Sequence, residues 1–478
     1  MRVHATRLAV LLALAAAACA RSPVTGKRQL SLISEKQEIE LGQESAKQVT
    51  EQMPRYPDAK VQSYVEEVGK RIAAASERPK LPWSFTVLDD PAVNAFALPG
   101  GPVFVTRGLL THVNSEAELA SVVGHEIGHI TARHSVQQLS KAQLAQVGLG
   151  IGSILSPQVA ELGQVAGAGL QLLFLKFGRD AERQADELGF KYMTQQRYDP
   201  REMAHVFNTL ERSSAQQGQG KVPEWLATHP DPGNRAKTAS DRAAGVKDPG
   251  TKVGREEYLA RLDGMTFGED PRQGFFQGNA FLHPGLAFRI DFPAGWQKQN
   301  TPGAVVALSP KKDAAIQLSG AGKMSPEEAA KKFFSQQGVR PASFAAGGGG
   351  LPAGARYFEA QTQQGQVGGV VAFLPRGSET FAIVGYTSAA NVAAYEPAFK
   401  ATLASFGPLT DPAALAVQPA KLALVKVPRD MTIAEFMAEF PSTAPADVVA
   451  TVNGVPKDGR LEAGRTAKRI VGGVAPPK

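Results

Sequence analysis

The sequence predicts an α+β protein of several domains. We expect a mainly helical first domain with a small β-sheet, then an α+β domain on an antiparallel sheet, then a small C-terminal module. A chain of 478 residues is too long for one domain, and 43% hydrophobic residues is a globular composition. The composition also changes near residue 255, where helical patterns give way to runs of short strands.

The first 18 residues predict a secretory signal peptide that is not part of the fold. Two arginines precede the apolar run 8–14 and several alanines. Cys19, the only cysteine, stands where the signal should end, and residues 16–19 resemble a lipobox with Cys19 as the lipidated N-terminus. Ordinary A-x-A cleavage is the alternative. Ala20 is not the aspartate associated with inner-membrane retention, so we expect a periplasmic protein anchored to the outer membrane.

The net charge argues against a nucleic-acid partner. It is +7 for the whole chain, and loss of the two arginines in residues 1–18 leaves +5. So small a surplus on so long a chain is not the basic patch that nucleic acids require.

Two strands and a turn are predicted ahead of the first strong helix. Residues 85–88 and 103–106 have strand character, and Pro99-Gly100-Gly101-Pro102 is a turn. A strand near residues 94–98 can offer its edge to an extended peptide, which would bind through main-chain hydrogen bonds. An ordinary hairpin is the alternative. The candidate substrate-binding residues are Asn94, Ala95, Phe96 and Ala97.

A helix is predicted to begin at Ser115. Ser115 and Glu118 match a capping box, with Ser115 as N-cap. An apolar stripe at helical spacing follows, formed by Leu119, Val123, Ile127 and Ile130.

This helix carries the run His125-Glu126-Ile-Gly-His129. Two imidazoles four residues apart lie about 40° apart around a helix, close enough to bind one metal ion together. Glu126 falls on the apolar stripe, where a carboxylate needs a polar partner, and a metal-activated water would provide one. A surface helix with incidental histidines is the alternative, but it leaves Glu126 unexplained.

A second helix beginning near Arg179 offers a third ligand. Glu182 and Asp186 share one face at a spacing of four. Glu182 would complete a His, His, Glu set, and Asp186 would orient a ligand histidine through its other ring nitrogen. Taken alone, such a pair is more typical of a solvated face, but the H-E-x-x-H run upstream reverses this preference. On a continuous helix His134 is turned about 140° from His129, so we expect it to be solvated or capping.

Together these motifs resemble the gluzincin peptidase family that includes HtpX, the CAAX-processing protease and periplasmic BepA-like proteases. The resemblance covers roughly residues 30–245. It rests on the H-E-x-x-H run, Arg133-His134, Glu182 with Asp186, the segment 94–110, and a distal His229-Pro230 with Arg235. It implies a metallopeptidase holding one Zn²⁺ per chain on His125, His129 and Glu182, with Glu126 as general base.

The resemblance leaves the roles of the distal pair open. His229 can approach the zinc as a transient fourth ligand or donate to the oxyanion, and a loop histidine before proline is otherwise structural. Arg235 can pair with a substrate carbonyl or with Asp186.

The expected function is therefore zinc-dependent endopeptidase activity in a Gram-negative envelope, directed at unfolded or misassembled envelope proteins. The alternative is an envelope assembly factor or cell-wall-binding adaptor whose peptidase site is largely silent. The intact Glu126 argues against it, because a scaffold has no need of the base. A membrane-type prenyl-peptide protease is disfavoured because its multiple spanning segments are missing.

One uncharged stretch lies between the two helices of the motif. Residues 142–160 contain three glycines and a proline, which argues against a spanning helix. With residues 172–177 we expect a helical insert over the active-site cleft, or else a plain core helix.

The later domains carry no catalytic constellation. Residues 256–407 predict an α+β domain that loosely resembles the PsbP/Mog-like fold, and His283 is expected to be a structural loop residue. A linker is expected at 408–420. Residues 421–474 resemble a LysM domain, which implies peptidoglycan as a partner. Before the linker we expect strands at 305–308, 314–318, 356–360 and 381–386, and helices at 326–336 and 393–405.

Overall fold

The structure, a computed structural model, describes residues 19–148, 176–216, 225, 229, 232–301, 303–344, 350–362 and 365–474. Contacts divide the chain into two compact units, one of residues 1–268 with 421–471 and one of residues 269–420 with 472–478. The protein is thus α+β and multidomain, as the sequence predicts. The expected signal peptide and most of the expected insert over the cleft lie outside the described residues.

The first unit is mainly helical. Its helices are α1 Glu35–Gln52, α2 Ala59–Ala74, α3 Arg107–His112, α4 Glu116–Thr131, α5 His134–Gly148, α6 Arg179–Gln195, α7 Glu202–Gln216, α8 Pro232–Ala244 and α9 Arg255–Leu262. Among the described residues, none of the helices combines the length and the apolar character needed to cross a bilayer.

A small sheet lies beside these helices. Its strands run in the order β3, β5, β4, with β5 parallel to β3 and antiparallel to β4. The strand β4 is therefore at the edge, and it contacts α4. A hairpin of β1 and β2 precedes this sheet in the sequence. The strands are β1 Cys19–Arg21, β2 Arg28–Leu30, β3 Ser84–Leu88, β4 Ala95–Ala97 and β5 Pro102–Thr106.

Helix α4 is the centre of the first unit, since every residue from 116 to 131 is buried. Ser115 caps it by accepting from the Glu118 amide at 3.0 Å. The second half of the predicted capping box is wrong. The Glu118 carboxylate accepts instead from the amide of Asn114, the residue before the cap, at 2.7 Å.

The C-terminal segment 421–471 belongs to the first unit. Lys468 has no exposed surface, and its Nζ donates to the carbonyls of Thr111 and Val113, both at 2.8 Å. These carbonyls immediately precede the Ser115 cap of α4, so the C-terminal segment supports the start of that helix. Its elements are β18 Gln418–Lys426, β19 Met431–Thr432, α13 Ile433–Glu439, α14 Ala446–Val452, β20 Arg460–Leu461 and β21 Thr466–Val474, with β21 and β18 joined to β6 Thr266–Phe267 in one sheet.

The second unit is built on an antiparallel seven-stranded sheet in the order β10-β11-β12-β16-β15-β14-β13. A four-stranded sheet in the order β17-β9-β8-β7 accompanies it. The strands are β7 Phe275–Gln277, β8 Ala280–His283, β9 Phe288–Asp291, β10 Gln297–Asn300, β11 Val305–Leu308, β12 Ala314–Gly322, β13 Val339–Pro341, β14 Ala355–Thr362, β15 Gly365–Arg376, β16 Glu379–Ser388 and β17 Gly407–Pro408.

Helices cover both faces of the larger sheet. Along β15, Val370 and Ala372 join the core beneath helix α11 Val392–Ser405, while Val371 and Phe373 pack under α10 Pro326–Phe334. The segment expected as a linker is ordered as β17, the short helix α12 Pro412–Leu415 and the start of β18.

Candidate metal centre

Helices α4 and α6 can approach closely because each carries glycine at the crossing. A Cβ on Gly189 would lie 2.8 Å from the His125 amide nitrogen, and one on Gly128 would lie 3.0 Å from the Ala185 carbonyl. No larger residue fits at Gly189 without moving a backbone. The close crossing is what brings Glu182 of α6 to the two histidines of α4.

Four buried side chains converge at this crossing, and their ligand atoms lie within 4.8 Å of one another. Nε2 of His125 lies 3.0 Å from Nε2 of His129 and 3.2 Å from Nδ1 of His229. Both oxygens of Glu182 lie 3.1 Å from Nδ1 of His229 and 3.5 Å from one or the other Nε2 atom. Lone pairs crowded in this way, with a carboxylate among them, fit a shared cation.

The outer nitrogen of His125 is held by a carboxylate. Nδ1 lies 2.8 Å from Oδ1 of Asp186, one turn beyond Glu182 on α6. Arg235 of α8 binds both oxygens of Asp186, at 2.7 and 2.8 Å. The Arg235 guanidinium lowers the pKa of Asp186 to about 2 against the effect of burial, so this carboxylate stays ionised. Of the two partners left open for Arg235, the structure places it on Asp186.

Arg235 also holds the segment that carries His229. Its guanidinium lies against the rings of both Phe207 and Trp225, 4.4 and 4.6 Å from their centroids. The Trp225 carbonyl accepts from the His229 amide at 2.7 Å, and the two rings lie 5.2 Å apart. The sequence alone does not point to this fully buried tryptophan, because nothing local links it to the H-E-x-x-H run.

Glu126 lies beside the cluster without belonging to it. It is 1% exposed, and its Oε1 has no hydrogen-bond partner among the described residues. Nε2 of His229 is the nearest charged contact, at 3.5 Å. Burial raises the pKa of Glu126 to about 7. A buried carboxyl of this kind, facing a metal-binding cluster, is poised for proton transfer.

The histidines of the cluster differ in the direction in which their pKa is shifted. Burial lowers the pKa of His125 to about 4 and that of His129 well below its ordinary value, so both are neutral and can bind a metal. For His229, burial is outweighed by the carboxylates of Glu126 and Glu182, which raise its pKa. The same neighbourhood lowers the pKa of Glu182 despite its burial.

The prediction that His134 is solvated or capping is wrong. His134 is 6% exposed, and its Nδ1 lies 2.9 Å from Nδ1 of His129. Helix α4 ends at Thr131, and Arg133 takes a left-handed conformation with φ 60°. The chain therefore reverses before His134 instead of continuing around the helix.

The candidate substrate-binding residues lie on and beside the edge strand β4. Ala95, Phe96 and Ala97 pair with Val105, Phe104 and Val103 of β5. The Phe96 ring stacks on Phe104 in a small core cluster, so only the backbone of this strand remains for a peptide. Asn94 is buried, and its Oδ1 has no partner among the described residues.

A second group of possible metal ligands consists of Glu118, Glu202 and His205. Burial and the neighbouring Glu202 raise the pKa of Glu118 to about 7, while Lys468 and Arg255 act in the opposite direction. Because cations of the chain itself already face these carboxylates, we assign no metal to this group.

Comparison with known proteins identifies the first domain. Residues 59–243 match the model of peptidase family M48. The beta-barrel assembly-enhancing protease of Yersinia pestis is 31% identical over 249 residues, covering 50% of this chain and 51% of that protein. The same-named protease of Escherichia coli K12 is 30% identical, covering 50% of each. Mitochondrial metalloendopeptidase OMA1 of Schizosaccharomyces pombe is 34% identical over 223 residues, covering 44% of this chain and 61% of that protein.

The chain thus spans about half the length of the first two relatives. The matched residues contain α4, α6 and the four converging side chains, so the family resemblance seen in the sequence is confirmed. Residues 59–243 are a metallopeptidase domain of family M48.

Proposed function

We propose that this chain is a zinc-dependent endopeptidase of the bacterial cell envelope that cleaves unfolded or misassembled proteins. The observation that carries the proposal is the convergence of four buried ligand atoms beside Oε1 of Glu126, which has no hydrogen-bond partner in the part of the chain that the structure describes. A scaffold protein gains nothing from burying a carboxylate there.

His125, His129 and Glu182 would hold the zinc. Imidazole nitrogen and carboxylate oxygen are ligands that zinc prefers, and three protein ligands leave one position open for chemistry. The fourth atom, Nδ1 of His229, lies 3.1 Å from both oxygens of Glu182 and would close the site. Asp186 would fix the ring of His125 with Nε2 facing inward.

When bound, the zinc would supply Lewis acidity that promotes deprotonation of a water and polarises a scissile carbonyl. Glu126 would take the proton of the attacking water and return it to the leaving amine. Its raised pKa, about 7, suits a group that must accept and release a proton near neutrality. His229 would either exclude that water from the site or donate to the oxyanion, and the activity of His229→Ala distinguishes the two roles.

Substrate would lie along β4. An extended peptide added to this edge binds through main-chain hydrogen bonds, which tolerates many sequences and so suits unfolded chains. Trypsin-like pockets for one side chain are not needed in this mode.

Envelope location rests on the sequence and on the relatives. A lipidated Cys19 would anchor the protein to the outer membrane from the first strand of the N-terminal hairpin. Apart from the two-residue strands β19 and β20, the C-terminal segment has the strand–helix–helix–strand order of β18, α13, α14 and β21, which supports a LysM-like module and peptidoglycan as a partner. The names of the two bacterial relatives support substrates linked to β-barrel assembly.

Zinc content and casein cleavage by the purified full chain test the proposal. Glu126→Gln should keep one zinc per chain and lose cleavage, whereas Glu182→Ala should lose the zinc. His205→Ala, which changes an exposed histidine away from the cluster, is the control. Full zinc occupancy in Glu182→Ala would refute the ligand set. A zinc-loaded chain that cleaves nothing, with or without His229, would favour the silent-site adaptor.

A further inference from the structure

The outer nitrogen of His129, unlike that of His125, is held by a second histidine. Its Nδ1 lies 2.9 Å from Nδ1 of His134, whose Nε2 lies 2.9 Å from Oε1 of Gln184. His134 is nine-tenths buried, and no step of the proposed reaction uses it.

The protons in this row of hydrogen bonds, from His129 through His134 to Gln184, can be assigned by starting at Gln184. Oε1 of Gln184 can only accept, so Nε2 of His134 carries a proton. The neutral ring of His134 then presents a lone pair at Nδ1, and Nδ1 of His129 must donate to it. That leaves the lone pair of His129 at Nε2, which faces His125 and Glu182.

The opposite assignment is incompatible with a metal. A proton on Nδ1 of His134 would make Nδ1 of His129 an acceptor, and Nε2 of His129 would then carry its hydrogen into the cluster. Metal binding requires a bare nitrogen at that position.

We propose that His134 is a positioning residue that fixes the tautomer and the ring orientation of His129 for metal binding, with Gln184 fixing His134 in turn. This inference rests on the proposed zinc site. It gives the two histidines of the H-E-x-x-H run different supports, a carboxylate for His125 and a neutral imidazole for His129.

The fold is arranged to hold this geometry. The reversal at Arg133 is fixed by its own side chain, which donates to Glu38 and to the Ile33 carbonyl, both at 2.8 Å. Phe177 stacks on the face of His129 with 4.2 Å between centroids, which limits tilting of the ring. The hydrogen bond to His134 then fixes its rotation in the plane.

Two substitutions separate this role from mere packing. In His134→Asn the side-chain oxygen can occupy the place of Nδ1 and accept from His129, whereas His134→Leu fills the space without an acceptor. Zinc affinity of the purified full chain, measured by competition with a chelator, should fall about 10- to 100-fold in the leucine variant. It should stay close to wild type in the asparagine variant.

The spectrum of the Co²⁺-substituted protein should change in His134→Leu and be restored in His134→Asn. Gln184→Glu, which keeps the acceptor, should retain zinc. His205→Leu is the control for loss of an unrelated histidine. Urea unfolding of the metal-free proteins should show that both His134 variants are folded, with the leucine variant the less stable because Nδ1 of His129 loses its acceptor.

Wild-type affinity in His134→Leu, or equal weakening in both variants, would overturn the proposal. Absence of zinc from the wild-type chain itself would instead refute the zinc site on which it rests.

Discussion

Nε2 of His229 lies 3.5 Å from Oε1 of Glu126, while its Nδ1 lies 3.1 Å from both oxygens of Glu182. One imidazole thus spans the candidate base and the candidate metal ligand. A water held at the metal site and deprotonated by Glu126 would have to lie in this same region. The geometry supports a gate more directly than an oxyanion donor.

We therefore predict that His229→Ala leaves zinc bound and raises basal cleavage of casein. Removing a fourth ligand opens the site, and the remaining three suffice for zinc. Metal analysis and initial rates on the same preparation measure both effects.

If His229 instead stabilises the oxyanion, turnover in His229→Ala should fall by about 10²-fold with zinc unchanged. That result would contradict the gate. His205→Ala should alter neither measurement.

The predictable part of the site is the part encoded by helical spacing. The start of α4 follows from Ser115 as its N-cap, and the shared helix face of Glu182 and Asp186 follows from their spacing of four residues. The position of His134 could not be predicted in this way, because the turn at Arg133 depends on Glu38, 95 residues away. No glycine marks that turn in the sequence.

Strand β15 was missed for a related reason. It is buried on both faces, so Val370 to Phe373 form a continuous apolar run in place of an alternation. The glycines at 368 and 369 further weaken its strand signal. The four strands and two helices predicted before residue 408 are confirmed with small shifts at their ends.

Asp186 should control the zinc affinity through His125. We predict that Asp186→Ala weakens zinc binding about 10- to 100-fold, since it removes the acceptor of the His125 Nδ1 proton and leaves Arg235 buried without its carboxylate. Asp186→Asn retains an acceptor and should lose less. Chelator competition gives both values, and equal losses in the two variants would show that the charge matters more than the hydrogen bond.

Cys19 should determine membrane association. If it is lipidated, Cys19→Ser should keep its signal peptide or appear as a soluble periplasmic species, because the acylated sulfur is gone. Ala20→Asp is a matched variant, and it should remain lipidated but shift to the inner membrane. Membrane fractionation of the cells, with the mass of the mature protein measured in each fraction, tests both variants. Unchanged fractionation and mature mass in Cys19→Ser would rule lipidation out.

Glu116, the first residue of α4, should make the free energy of unfolding depend on pH in the acid range. Its carboxylate accepts from Arg71 and Tyr64 at 2.7 Å, from Tyr198 at 2.6 Å, and from Lys252. Although burial opposes it, these donors lower its pKa from 4.5 to about 2. A lowered pKa in the folded state means that the stabilisation is complete above the ordinary value and is lost as the pH falls toward 2.

Glu116→Gln should therefore be less stable than wild type at neutral pH, by about 2 kcal/mol for the charged hydrogen bonds it loses. The difference should shrink as the pH falls from 4.5 toward 2, because the wild-type carboxyl is then protonated as well. Urea unfolding of the metal-free chain across this range measures it. Glu66→Gln, which removes an exposed pair with Lys70, is the control and should change little at any pH. A difference between Glu116→Gln and wild type that stays constant down to pH about 2 would show that the carboxylate charge contributes nothing to holding the start of α4.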